Sequence, residues 1–449
     1  MTRKIWGILA AGAILAAGCG TVRNAHRVQD PKNIPPGERT VTAAEIGLTK
    51  DTVLPLDKAV EIALKYHPAI QQSRRRLESA QSRFDSAKGS YLPQLDTSLS
   101  ANAGTGNRTA GSEVNSTDQS HSASLSLSQL IYDFGKTPAS VRQAYENWVA
   151  AEMSDKSTAN NLVYEVKGAY YDLIKQQSLF KVAEETVKQF EKRLEQVKSF
   201  AEVGRRTRYD VTKTEVDLAE ARLTYIKAIN SLKTSRATLN NALGLAEDPG
   251  YSVQTPPPPE MSAYTMDEFW QMVKLNNPEM QSQSATEKAA SAGVDKAIAD
   301  LYPSLSLNSS YSWSGGVFPM PWNWSVGAAM RFNIFQGFQK VNAINEAVDS
   351  LRQMRSAKAE LEQRLFLDLN RAYAQLEDSR QRLAITELSV KIAEENLMIV
   401  EGRYQVGKAS SVELTDAQVS LASARSNRVQ ADFDYQLAIA QIKKNTGGK

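Results

Sequence analysis

Cysteine and histidine are nearly absent. One cysteine, Cys19, and three histidines, His26, His67 and His121, stand in 449 residues. A lone cysteine forms no internal disulfide, and histidines so far apart offer no metal-ligand spacing. No nucleotide loop or nucleophile motif accompanies them, so the chain reads as a non-enzyme that needs no cofactor. An excess of one charge is missing too. The formal net charge is +3, which gives no electrostatic footprint for nucleic acid. Beyond Ile5–Ala17 there is no long apolar run. With 42% hydrophobic residues, 23% charged and a mean hydropathy of −0.40, the composition excludes a polytopic helical membrane protein.

What the chain does have begins with a secretion signal. Arg3 and Lys4 precede a short apolar core, Ile5–Ala17, too short to span a bilayer. It ends in Leu15-Ala16-Ala17-Gly18-Cys19, which resembles a bacterial lipobox with Ala16 where Leu is usual. Residues 1–18 are thus expected to be a lipoprotein signal peptide and Cys19 a lipidation site. A chance cysteine beside an ordinary cleavage site is the alternative. Residues 19–55, with Pro31, Pro35 and Pro36, read as an extended tether.

From there the chain is written twice. Val166, Leu173, Phe180, Val187, Leu194 and Ala201 recur every seventh residue, with Ala169, Gln176, Ala183, Phe190 and Val197 three positions later. That is an a/d heptad seam. It returns 203 positions on as Leu369, Leu376, Leu383, Val390, Leu397 and Tyr404. A first repeat over 56–244 and a second over 265–449 follow, joined by a Pro-rich linker at 245–264. Each repeat carries short helices, a hairpin (about 94–132 and 304–335), a very long helix (about 137–203 and 338–406) and a return helix (about 209–243 and 411–445). The long helix runs about 100 Å at 1.5 Å per residue. Asp57 is the expected cap of the first short helix, and Thr137 with Pro138 the expected start of the long one.

The hairpins are period-two. Leu95, Thr97, Leu99 and Ala101 alternate with Asp96, Ser98, Ser100 and Asn102. Leu305, Leu307 and Tyr311 alternate with Ser304, Ser306 and Ser310, and Trp322, Trp324 and Val326 with Asn323, Ser325 and Gly327. The helices use their apolar faces on each other, so the apolar strand faces have no core to meet. A membrane barrel is the consistent site, with apolar residues toward lipid, small polar ones toward a lumen, and Trp313, Trp322 and Trp324 in an interfacial girdle. Four strands cannot close a barrel, so several chains must contribute. Exposed hairpins on a periplasmic coiled-coil scaffold without a pore are the rival reading.

"ALKYHPAI" with "VKLNNPEM", "SYLPQL" with "DLYPSL", "IYDFG" with "FNIFQG", and the helix-turn tips "EVGRRTRYDVTKTEVDLAEA" and "YQVGKASSVELTDAQVSLASA" resemble the TolC-like outer membrane factors, in their lipoprotein branch. The resemblance covers nearly all of the mature chain. It implies a mainly α fold with membrane β: a periplasmic α-barrel of long antiparallel coiled-coil helices and four strands per chain in a trimeric 12-stranded outer-membrane β-barrel. It further implies the exit duct of a tripartite export system, partnered by a periplasmic adapter and an inner-membrane transporter; a type I secretion duct for polypeptides is the alternative within the family. Val203, Gly204, Val406 and Gly407 fall at the adapter-facing tips. Asp210, Tyr404, Glu413 and Asp416 match gate positions, the last two as a candidate acidic ring. Ala409 stands where the family has an arginine five residues after the tyrosine; Lys408, Arg205, Arg206 or Arg208 are the candidate substitutes.

Overall fold

A computed structural model describes residues 41–50, 52–106, 116–257 and 264–448, with Ala25, Val28 and Arg39. Cys19 and the lipobox lie outside the described residues. The elements run α1 (Ala43–Ile46), β1 (Val53–Leu54), α2 (Leu56–Tyr66), α3 (Pro68–Gly89), β2 (Gln94–Gly106), β3 (Ser116–Tyr132), α4 (Lys136–Glu202) and α5 (Arg208–Ala242). Then come β4 (Ser252–Val253), α6 (Met266–Asn276), α7 (Pro278–Ala299), β5 (Ser304–Gly315), β6 (Trp322–Arg331), α8 (Gln339–Gln405) and α9 (Ser411–Asn445). Both long helices have 67 residues and both return helices 35, so the twofold repeat is kept element by element.

The chain divides into two compact units. The first comprises Met1–Arg74, Ser157–Lys274 and Phe366–Lys449. Its main core joins Ile62 and Ile70 to Val166, Tyr170 and Leu173 on the α4 seam and to Leu239 and Leu243. The stretch expected to be a tether is packed at its end. Val41, Leu48 and Leu54 are buried, Val41 bridges Leu245, and β1 pairs in parallel with β4. The fully buried Tyr170 fixes this pair, its hydroxyl donating to the Leu54 and Gln254 carbonyls at 2.8 and 2.7 Å. Burial pushes that phenol up to about 12, so it stays a donor. The buried Val41, Ala43, Leu48 and Leu54 anchor this end of the stretch, and its prolines all precede Val41 except Pro55.

The second unit comprises Arg75–Lys156 and Leu275–Leu365. Small residues line one face of α7, where Ala285, Ala289, Ala292 and Ala299 are buried. A Cβ on Gly293 would lie 3.1 Å from Gln143 Nε2, and the Ser282 hydroxyl donates to the Ala150 carbonyl at 2.9 Å, so α7 packs closely on α4. The four long strands form one antiparallel sheet in the order β2-β3-β5-β6.

Two expected caps are replaced. Pro55 precedes α2, and Asp57 lies within its first turn, where its charge suits the positive end of the helix. At α4 the cap comes from Asp133, whose Oδ2 accepts from the Thr137 amide at 2.7 Å and hydroxyl at 2.6 Å. The last strand stops at Arg331 rather than 335, because its partner β5 starts only at Ser304, just after Pro303, which has no amide hydrogen to give a ladder.

Candidate functional site: the helix tips and the sheet

Both long helices end on a glycine in the left-handed region, Gly204 at φ +76° and Gly407 at φ +75°. The amide after each reaches back five residues, Arg205 to the Phe200 carbonyl at 2.8 Å and Lys408 to the Arg403 carbonyl at 2.7 Å. This closing pattern satisfies orphan carbonyls and needs a residue without the Cβ penalty. Val203 and Val406 beside them are 68% and 69% exposed.

The return helices start on matched capping boxes. In α5 the Thr207 amide and hydroxyl donate to Asp210 Oδ2 at 3.1 and 2.8 Å, and the Asp210 amide donates back to the Thr207 hydroxyl. In α9 Ser410 and Glu413 repeat the arrangement, at 3.2 and 3.1 Å. Each box satisfies two orphan amides at a helix start. Glu413 is held below the usual carboxylate range by the Ser410 amide and hydroxyl, with help from Arg403, whose guanidinium lies 3.6 Å away. Burial works against the charge on Asp210, but the bonds from Thr207 and Ser411 and the nearby Arg206 outweigh it and hold its pKa down. Asp416 is exposed and forms no hydrogen bond or ion pair among the described residues.

Beneath the tips, polar contacts tie the repeats together. Ser411 donates to Asp210 Oδ1 at 2.8 Å, and Thr415 to Asp217 Oδ2 at 3.2 Å. Asp217 is buried and also accepts from Lys213 at 2.6 Å. Arg193, 3% exposed, donates to Gln418 at 2.9 Å and to the Ser411 carbonyl. Burial lowers the pKa of its guanidinium, opposed by Tyr404, Asp217 and Asp210.

Tyr404 packs with Val400, Ala409, Leu414 and Ala417. Its buried hydroxyl bonds to nothing among the described residues. The ring instead meets two cations, Arg206 at 4.4 Å and Arg193 at 5.8 Å from its centroid, which is cation–π geometry. Of the four candidate substitutes for the arginine missing at Ala409, Arg206 is the one at the tyrosine. It is also the repeat equivalent of Ala409, 203 positions earlier. Arg193, Asp217, Ser411 and Thr415 were not singled out by motif. The signal was the asymmetry of the repeats: Asn396 and Ser420 stand 203 positions after Arg193 and Asp217.

Between α4, α5 and α9 lies an open groove of about 540 Å³, lined by Val182, Phe190, Ala221, Thr224, Val419 and Ala422 among others. In the sheet, one face is polar. Ser98 bonds Ser124 at 2.8 Å, Ser100 bonds Ser122 at 2.7 Å, Ser310 bonds Ser325 at 2.8 Å, and Ser128 donates to Asn308 at 3.1 Å. The other face is apolar and exposed, with Leu99 at 81%, Met330 at 69% and Trp322 at 65%. Tyr311 stacks on Trp322 and meets Trp313 edge-on. Among the described residues no helix is long and apolar enough to cross a membrane, and no cluster of His, Cys, Asp or Glu is arranged to hold a metal ion.

Long helix pairs, written twice, and a two-faced sheet with open edges are the elements of an outer membrane channel subunit. The family model for outer membrane efflux proteins matches residues 59–245 and 270–448, and the chain belongs to that family. It is 24% identical to the probable efflux pump outer membrane protein TtgC of Pseudomonas putida, over 100% of this chain and 96% of that protein. It is 22% identical to the probable outer membrane lipoprotein SilC of Salmonella typhimurium, over 86% of this chain and 84% of SilC. Its fold matches the crystal structure of the outer membrane protein VceC from Vibrio cholerae with a TM-score of 0.78 at 18% identity, covering 88% of this chain and 96% of that one.

Proposed function

We propose that three copies of this chain form the outer membrane exit duct of a tripartite efflux system, working with a periplasmic adapter and an inner-membrane transporter. The observation that carries this reading is the sheet. Its exposed apolar face suits lipid, its serine ladders suit a wet lumen, and its two edge strands β2 and β6 are unpaired in the single chain. Open edges in lipid leave a row of unsatisfied backbone groups, each costing several kcal/mol, so copies must close the sheet. The names of TtgC and of the family support efflux as the role. The name of SilC supports a lipid anchor, which here falls to Cys19.

In this reading Val203, Gly204, Val406 and Gly407 face the adapter, and the tips form a gate. The Asp210–Ser411 bond and the Arg206–Tyr404 contact hold the two tips of a protomer together. Asp416, without a hydrogen bond or ion pair among the described residues, and Glu413 ring the aperture. Transport is passive conduction once the gate is opened by partners. Detergent-extracted protein is expected to show a trimer in native mass spectrometry and a channel in planar bilayers. A monomer with no conductance refutes the reading.

A further inference from the structure

Asp96, Asp118 and Arg331 are the only Asp, Glu, Lys or Arg residues of the four long strands. Asp96 lies on β2 and Arg331 on β6, the two edge strands. Both belong to the polar face: Asp96 is in register with Ser126, itself opposite Ser310, and Arg331 with Ser304. Both are exposed, and neither has a hydrogen bond or ion pair among the described residues. Within one protomer they sit on opposite edges, separated by two strands.

We propose that Arg331 of one copy and Asp96 of the next form an ion pair that sets the register in which copies of this chain join. The inference rests on the barrel reading above and specifies its joint. Closure is head-to-tail, β6 of one copy against β2 of the next. β6 spans Trp322–Arg331 and β2 spans Gln94–Gly106. For every residue of the shorter strand to find a partner in an antiparallel pairing, the numbers of paired residues must sum to between 425 and 428 (331 + 94 at one limit, 322 + 106 at the other). Like faces must also meet, because a one-residue slip turns every side chain over. Polar positions are odd on β6 and even on β2, so the sum is odd. Only 425 and 427 remain.

At 427, Arg331 is directly opposite Asp96, Ser325 opposite Asn102 and Trp322 opposite Thr105. At 425, Arg331 faces Gln94 and Asp96 is its diagonal neighbour, about 7–8 Å away and within reach of a long side chain. Four strands per copy also keep the alternation of hydrogen-bonded and non-bonded pairs in step across the joint. Every fully paired closure therefore brings these two charges together, whereas a slip to 423 leaves the Arg331 end of β6 unpaired and separates them.

Cysteine pairs across the joint test the register. Ser325→Cys with Asn102→Cys reports 427, and Ser325→Cys with Ser100→Cys reports 425; Ser325→Cys with Ser98→Cys is out of register. Oxidised covalent trimers from either of the first two pairs, and not from the third, are the expected result. Covalent trimers from the third pair alone overturn the register while leaving the barrel intact. A wild-type protein that is monomeric in the membrane overturns the barrel reading instead. The charges are tested by exchange. Asp96→Arg and Arg331→Asp singly should lower the temperature at which the trimer dissociates in SDS, and the double exchange should restore it. Asp96→Asn, a milder change, should lower it less than Asp96→Arg. A double exchange no better than the worse single variant refutes the ion pair.

Discussion

The Ser411–Asp210 bond joins the start of one return helix to the other, and its removal is expected to loosen the tips in a measurable way. Ser411→Ala deletes only the 2.8 Å link and leaves the Thr207–Asp210 box intact. Asp210→Asn keeps the side-chain shape but removes the charge that both Thr207 and Ser411 address. A hydrogen bond to a charged group contributes about 1.5–3 kcal/mol. Asp210 is only partly buried, so about 1 kcal/mol is the reasonable share for this link after solvent competition. If the link exists only with the tips closed, its loss shifts the closed-to-open ratio about fivefold per protomer, since 1.4 kcal/mol is tenfold. A double-mutant cycle of Ser411→Ala and Asp210→Asn, read as resting conductance in planar bilayers, isolates the coupling from the capping role. The expected coupling is about 1 kcal/mol. Strictly additive effects would refute the idea that this bond latches the tips.

Tyr404→Phe should leave resting conductance nearly unchanged, because the hydroxyl it deletes has no hydrogen-bond partner among the described residues, whereas Arg206→Gln should raise it by removing a contact of about 0.5–2 kcal/mol; the reverse order in bilayer recordings would show that the hydroxyl is bonded in the closed channel. Glu413→Gln with Asp416→Asn should reduce cation preference, measured as reversal potential in a salt gradient, since rings of carboxylates select cations. Asp210 has a lowered pKa in the folded protein, so its contribution is full above the ordinary carboxylate range and is lost as pH falls through the lowered value. Resting conductance should thus be flat from neutral pH to about pH 4 and rise below it, with the acid response blunted in Asp210→Asn. The wild-type protein is expected to carry acyl mass by intact mass spectrometry, and Cys19→Ser should lose it and still yield trimers; trimers lost together with the acyl group would place the main anchor in the lipid.

Much of this was legible because the chain repeats itself. A seam at 166–201 that returns 203 residues later marks the long helices, and alternation in 304–315 and 322–331 marks the strands without any structure. Tip glycines were also readable, since Gly204 recurs as Gly407, while the Thr207 and Ser410 caps that follow them were not singled out. What could not be read is what depends on tertiary context. The prolines of the N-terminal stretch hid its packed end, where Leu54 is held by a tyrosine 116 residues away. Thr137 looked like a cap, but Asp133 occupies that role. The arginine missing at Ala409 was sought nearby in sequence and in both tips; only the structure picks Arg206 out of them.

Topology is the most direct test of the central claim, that the sheet crosses the outer membrane and the tips lie beneath it. Gly316 is a poor reporter, because a Cβ there would lie 2.7 Å from the Gln119 carbonyl oxygen. Val317 is 79% exposed and Val203 68%, so a cysteine at either site is open to reagent. On intact cells, a membrane-impermeant thiol reagent should label Val317→Cys and leave Val203→Cys untouched until the outer membrane is broken. Labelling of Val203→Cys in intact cells, or of Val317→Cys only after disruption, would contradict the account.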